Sequence, residues 1–421
     1  MGGWPAPIGI VYEVDSLNAL FIILVQFVSL LSLIHSRHAV NTSYGENSGS
    51  FYALYLLLVT GLSGMTLTGD AFNLYVMIEI VALSNYALIA SQRDRATFAS
   101  FNYLIAGSVA AGLYLIGLGY LYVKTGTLNM ADLRTHLSTM QHSPALMVAL
   151  AALISGLFIK VGLFPFHSWL PPAYSYAPDP VSSITAPLTT KVSLYVLVRI
   201  LFWVFGTDFL ASTDSWSFLI VTLASVAIVV GSVLALRASE LKRIFSYIII
   251  AEVGYVIGGL WLFNKAGFTG AVFHIFSDGI VTLCLFMAAL NIKEVYGGSH
   301  LSALSGMCTR MPWTASTLIV AGFALVGIPP TGGFVSKWFL LNGAIAAGMW
   351  HFAAALLFAG VINLIIFYRI IEPAFFEPPP TSTNNIKTTR IPVLIAAVII
   401  ILLGLNSGNV IESFIYPITP Y

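Results

Sequence analysis

Runs of apolar residues long enough to cross a bilayer recur through nearly the whole chain, and they limit it to very few folds. They fall at roughly 16–35, 51–67, 72–91, 103–123, 145–164, 181–205, 216–236, 244–263, 269–291, 315–347, 351–371 and 391–406. Each is close to the ~20 residues a helix needs to span hydrocarbon. Inside lipid every backbone amide must be satisfied by the chain itself, which leaves helices or a closed barrel. Long continuous apolar runs without strand alternation are helices. The sequence therefore predicts an all-α polytopic membrane protein of about twelve transmembrane helices. Only 8% of its residues are charged, against about 25% in soluble domains. A net charge of +1 gives no reason to expect nucleic acid as a partner. Cys284 and Cys308 form neither a metal-ligand spacing nor a disulfide framework, and no metal or cofactor is expected. The opening Met-Gly-Gly-Trp-Pro lacks the basic and apolar regions of a signal peptide.

Two of the runs are broken. The tenth is interrupted by Gly327-Ile328-Pro329-Pro330-Thr331-Gly332-Gly333, and the fifth leads into a segment rich in proline and aromatics, Pro165 to Pro180, that includes Pro171. Irregular backbone at membrane depth survives only where protein buries it or where it lines a watery cavity. Pro165, Pro171, Pro329, Pro330 and Gly332 are therefore candidates for shaping a site. Discontinuous helices at corresponding places in two halves point to inverted repeats with the site near mid-membrane. The two halves are expected at 51–205 and 216–371, with 391–406 as a C-terminal helix.

Orientation follows from lysine and arginine placement. Connections after odd-numbered spans hold Arg37, Arg93, Arg95, Arg237, Lys242, Arg243, Lys293, Arg310, Arg369, Lys387 and Arg390; connections after even-numbered spans hold Lys124, Arg134 and Lys265. That asymmetry puts the first set in the cytoplasm and both termini on the outer side of a cell (inner) membrane. The stretch Glu377 to Arg390 reads as a Pro-rich loop.

Four basic residues lie inside apolar runs instead: Lys160, Lys191, Arg199 and Lys337. Arg199 is near a helix end, from which its stem can reach the interface. A lysine in hydrocarbon costs about 2.5–3.5 kcal/mol on insertion scales, so the three lysines are expected to face protein or water. The acidic candidates are Glu79, Glu252 and Asp278. Glu79, on a helix with Asn73 and Asn85, is the natural partner of Lys160; a bare structural ion pair locking two helices is the simpler alternative. A lysine can give up its proton when its carboxylate withdraws, which arginine does not do. A row of lysines with trapped water can then pass protons, and His167 and His274 are further candidates for it.

These residues resemble those of the antiporter-like membrane subunits shared by Mrp-type cation/proton antiporters, respiratory complex I and membrane-bound hydrogenases. The resemblance rests on Gly69-Asp70-Ala71-Phe72-Asn73-Leu74 leading to Glu79; on Gly126-Thr127-Leu128-Asn129-Met130; on Lys160 through Phe166-His167-Ser168-Trp169-Leu170-Pro171; on Ala177-Pro178, Val181-Ser182 and Thr190-Lys191-Val192; on Leu241-Lys242-Arg243 before Ser246-Tyr247; on Gly254-Tyr255; and on Gly327-Ile328-Pro329-Pro330 through Lys337. Gly-Gly-Trp-Pro-Ala-Pro at the start and Val-Ser-Lys at Lys337 look most like the D-type member of the Mrp assembly. The resemblance implies a fourteen-helix fold with two inverted five-helix repeats and broken seventh and twelfth helices. The twelve spans here correspond to the third through the fourteenth, the first two being absent or supplied by a neighbour. It implies Glu79 as the ion-pair carboxylate, Lys160 as the broken-helix lysine, Lys191 as the connecting lysine and Lys337 as the exit-side lysine. Ser277 and Thr282 stand where the family often has histidine and lysine, and Glu252 where it usually has histidine or a neutral polar residue.

The implied function is proton translocation within a multisubunit membrane complex, with other membrane subunits and the bilayer as partners. The transported ions are protons, with sodium as a second candidate. An Mrp-type antiporter and a redox-driven complex both remain open as host. A stand-alone solute transporter of six plus six helices, and a scaffold that has lost transport, are the competing readings. No nucleophile–base–orienter set suggests catalysis in this chain.

Overall fold

Asp15 begins the first helix by capping it. Its carboxylate accepts from the backbone N–H groups of Leu17 and Asn18, and the Asn18 side chain accepts in return from Asp15 N, closing a capping box. In this computed structural model, which describes residues 3–92, 94–140, 143–211, 214–378 and 388–421, that helix is α1 (Ser16–Tyr44). It is followed by α2 (Ser48–Leu67), α3 (Ala71–Ala90), α4 (Arg95–Thr125), α5 (Met130–Thr139), α6 (Pro144–Val161), α7 (Leu170–Tyr176), α8 (Asp179–Arg199) and α9 (Gly206–Ala211). Then come α10 (Asp214–Arg237), α11 (Leu241–Leu260), α12 (Lys265–Tyr296), α13 (Met307–Arg310), α14 (Pro312–Val326), α15 (Gly332–Ala346), α16 (Trp350–Phe376), α17 (Ile391–Leu405) and α18 (Ser407–Val410). The described residues contain no β-strand. Arg93, Lys387 and positions 379–387 of the expected Pro-rich loop lie outside the described residues.

Among the described residues, nine helical stretches are long and apolar enough to cross a membrane, ten with the bent pair Ile391–Leu405 and Ser407–Ile418. One of the nine, Ser16–Leu67, contains both α1 and α2, while α14 and α15 are single-span halves of 15 residues each. Every one of the twelve apolar runs is thus helical. Two details were not visible in those runs. Helix α1 continues to Tyr44 through His35, Arg37 and His38, because a helix need not end where hydrocarbon does. The short α5 has too few apolar residues to register as a span; Asn129 starts it by accepting from Ala131 N and Asp132 N, both at 3.1 Å.

The two halves repeat one another bond for bond. The loop before α3 pairs with the loop after α4 through Ala71 N to Leu128 O and Met130 N to Gly69 O, both 2.8 Å. The loop before α11 pairs with the loop after α12 through Leu241 N to Ser299 O and Leu301 N to Ser239 O, both 2.9 Å. Helix α6 stops at Gly162 (φ 72°) and α14 at Gly327 (φ 91°), the left-handed conformation that glycine supplies at helix ends. The next residue in each case bonds back to a phenylalanine: Leu163 N to Phe158 O and Ile328 N to Phe323 O. α3 and α11 are five spans apart and so cross in opposite directions, which makes the repeats inverted. Both breaks are real discontinuities, α6–α7 and α14–α15.

Burial sorts the helices into layers. The apolar window of α12 is 100% buried and that of α8–α9 94%, whereas α4 and α16 are only 39% buried. The centre is therefore α8, α11 and α12, wrapped by helices that meet lipid. Close approach at the second break depends on Gly333: a Cβ there would lie 2.0 Å from the carbonyl oxygen of Ala324, a backbone atom that cannot swing away. Gly333→Ala is expected to destabilise the protein by about 1–3 kcal/mol, the range for overpacking, read as a lowered unfolding midpoint in detergent. An unchanged midpoint would show that the break relaxes freely.

Candidate functional site

The cap at Asp70, which accepts from Phe72 N and Asn73 N, fixes the start of α3 and hence the depth of Glu79 two turns in. Glu79 faces Lys160 in the last turn of α6, with Nζ to Oε1 at 3.5 Å; the lysine is buried, and the carboxylate is partly exposed at 29%. The long separation and the open acid describe a loose pair. Gly107 of α4 makes room for it: a Cβ there would meet the Tyr86 hydroxyl and come within 3.6 Å of Lys160 Nζ. Beyond the break the chain ties back, Trp169 Nε1 donating to Ile159 O at 2.9 Å while its ring stacks on Tyr103 at 4.1 Å. Pro165 lies in the break and Pro171 in the first turn of α7. His167 is half-buried beside Phe164, and no hydrogen bond or ion pair among the described residues joins it to Lys160.

Lys191 sits in the middle of α8, one turn beyond Pro187. Its Nζ lies 2.8 Å from Asp278 Oδ2 on α12, and both side chains are almost fully buried. Thr282 completes the contact. Its hydroxyl accepts from Lys191 Nζ at 3.2 Å and donates to Asp278 Oδ1 at 3.3 Å. Thr282 is thus a member of the pair, and Asp278 carries the charge that answers Lys191. Ser277 packs against Gly332 at the start of α15, where a Cβ would meet its hydroxyl at 2.6 Å.

One helical turn away on α12, His274 offers Nδ1 to Ser336 Oγ at 2.9 Å. Glu252 of α11, His274 and Asp278 each bring one donor atom within 4.8 Å of the others, all buried. Lys337 of α15 places its ammonium 5.5 Å above the Tyr255 ring, within the electrostatic reach of Glu252 and Asp278. The ammonium donates to the carbonyl of Leu325, to which Asn363 Nδ2 also donates at 3.0 Å. Leu325 stands two residues before Gly327, as Lys160 stands two residues before Gly162. Lys337 thus reaches back from beyond its own break to the level that Lys160 occupies in the first half.

Between Lys160 and Lys191 there is no direct contact. Asn85 Nδ2 donates to Thr189 Oγ1 at 3.1 Å, and the Tyr174 hydroxyl lies against Thr190 and Thr189. Asn85 Oδ1 and Thr190 Oγ1 are buried without a protein partner; buried polar atoms of this kind are the usual seats of ordered water.

Two charged groups behave differently from expectation. Arg199 is buried instead of reaching a headgroup: Nη2 lies 2.6 Å from Asp15 Oδ1 and Nε donates to Tyr195 OH at 2.8 Å. Burial opposes ionisation of Asp15, but Arg199 and the N–H groups of Asn18 and Leu17 outweigh it and hold its carboxyl below the usual range. Lys242 is not a loop residue. It is buried in the first turn of α11, 3.0 Å from Asp179 Oδ1, and Lys293 holds the other oxygen at 2.7 Å. Sequence reading missed Asp179, whose Ala-Pro-Asp-Pro setting looks like loop; its place at the start of a helix, where negative charge is favoured, is the signal it carried.

The family described as NADH:quinone oxidoreductase/Mrp antiporter, transmembrane, matches residues 68–363. The chain belongs to this family. Two relatives lie on either side of its division. This antiporter-like subunit is 37% identical to NADH-quinone oxidoreductase subunit N of Desulforudis audaxviator, covering 100% of this chain and 87% of that one. It is 31% identical to the D-type component of the Na(+)/H(+) antiporter of Alkalihalophilus pseudofirmus, covering 98% and 83%. Among solved structures, a chain of the membrane-bound sulfane sulfur reductase, an archaeal respiratory membrane complex, superposes with a TM-score of 0.89 at 31% identity, covering 100% of this chain and 85% of that one. The antiporter-like subunit is a multi-pass membrane protein of the kind found in multisubunit membrane complexes. A stand-alone six-plus-six solute transporter is thereby excluded as its lineage.

Proposed function

We propose that this subunit moves protons across the membrane, along a row running from Glu79 and Lys160 through Lys191 and Asp278 to Lys337. The observation that supports it best is the pair of ammonium–carboxylate contacts at membrane depth, one loose and one tight. The loose Glu79–Lys160 pair opens as its carboxylate moves, releasing a lysine whose proton is then free to travel. Asn85, Thr189 and Thr190 line the gap to Lys191 with groups that hold water. The broken helices, with Pro165, Pro171, Pro329, Pro330 and Gly332, keep backbone carbonyls available beside the lysines. His167 stands at the edge of this row and contributes no step to it.

The repeat boundaries proposed for this device are 51–205 and 216–371, with 391–406 closing the assembly. The host is proposed to be an Mrp-type antiporter, exchanging a monovalent cation such as sodium for protons. A complex I-like or hydrogenase-like redox complex is the second reading, favoured by the relative from NADH-quinone oxidoreductase. Copurification with iron–sulfur subunits would decide for the second. The location is proposed as the cell (inner) membrane with both termini outside.

Glu79→Gln is expected to slow proton uptake into vesicles by about tenfold, the effect of a barrier raised by ~1.4 kcal/mol, and to shift its pH dependence. A wild-type rate with an unshifted profile would leave Glu79–Lys160 as a structural lock and sink the gate.

A further inference from the structure

The row of lysines leaves one acid without an occupation. Glu252 is 5% exposed on α11, and its Oε2 has no hydrogen-bond partner in the protein. The Nε2 of His274, 4% exposed, is likewise buried and unpartnered. One ligand atom each of Glu252, His274 and Asp278 converge within 4.8 Å. Asp278 holds the ammonium: Lys191 lies at 2.8 Å, Thr282 donates to its other oxygen, and Glu252 is a further hydrogen-bond partner. Two carboxylates this close do not both ionise without compensation, and a buried charge without donors is costly. Asp278 is therefore the anion and Glu252 the neutral acid. The same three donors have the composition of a metal site, but the ammonium on Asp278, with Lys337 on the other flank, repels a cation there.

We propose that Glu252 stores a proton at the junction of the two halves, its O–H directed to Asp278 at rest with His274 beside it. This rests on the lysine row proposed above and names the residue that bridges it. When Lys337 gives its proton to the exit side, it becomes a neutral amine. Glu252 then supplies the replacement: one O–H bond breaks at Glu252 for one N–H bond formed at Lys337. The Glu252 carboxylate left behind takes a proton from the Lys191 ammonium through Asp278, and the neutral Lys191 amine is recharged from the first half. The groups turned toward Glu252 are Asp278 and His274 of α12, Lys191 of α8, Lys337 of α15 and Tyr255 of its own helix.

Infrared difference spectroscopy of the full chain in its host membranes tests this. Wild type is expected to show the carbonyl stretch of a protonated carboxylic acid at neutral pH. Glu252→Gln should abolish that band and cut transport by about a hundredfold, the lower range for losing a proton-transferring group. Glu252→Asp should keep a displaced band and much of the transport, which separates loss of the acid from loss of the fold. A band that persists in E252Q assigns the proton to another acid and overturns the proposal. So does a lost band with wild-type transport. If Lys160 variants transport normally while the band behaves as stated, the lysine row fails and the stored proton stands.

Discussion

Replacing Lys160 with alanine is expected to abolish proton translocation while the protein still inserts and assembles. The expected loss is about a hundredfold or more, as for removal of a positioned proton-transfer group. The physical basis is local. Lys160 is buried in the last turn before the first break, with one acidic partner at 3.5 Å. Removing it takes a charge out of the membrane interior, so stability should hold or rise, because insertion no longer bears the cost of an ammonium. Glu79 is left partly exposed and can be hydrated. Vesicle pH-dye uptake, with complex assembly followed on native gels, separates the two effects. A K160A protein that pumps at the wild-type rate would remove that lysine from the path.

The largest stability effect is expected at the other pair. Lys191→Met or Asp278→Asn leaves a buried charge alone, which costs about 3–5 kcal/mol. The double variant removes both charges and is expected to recover most of that loss while remaining inactive. A double-mutant cycle on the unfolding midpoint in detergent measures the coupling. Single variants as stable as wild type would mean that water, and not Asp278, neutralises Lys191. The two pairs thus predict opposite signatures. Breaking the Lys160 pair affects transport and spares stability, whereas breaking the Lys191 pair affects both.

The membrane fold was legible because the bilayer imposes one rule along the whole chain. Apolar runs and glycine–proline breaks placed the twelve helical runs and both discontinuities. The Glu79–Lys160 pair was legible for the same reason, since each is a charge where lipid forbids one. The Lys191–Asp278 contact joins α8 to α12 across a long stretch of sequence, and no periodicity records which buried acid meets which buried amine. Thr282 looked like the loss of a relay lysine; in place it braces the pair. Lys242 was miscounted because a helix's first turn and its preceding loop look alike when both carry charge. Arg199 was misjudged because its partner, Asp15, lies outside any apolar run.

The apolar window of helix α12 is buried inside the protein on every side. A segment so enclosed is free of the composition that hydrocarbon demands, and needs only that each neighbour accept what it presents. His274, Asp278 and Thr282 accumulate there for that reason. The same enclosure means that α12 can hold its charges only after α8, α11 and α15 have closed around it, so assembly of this subunit is a prerequisite for its electrochemistry and not merely its container.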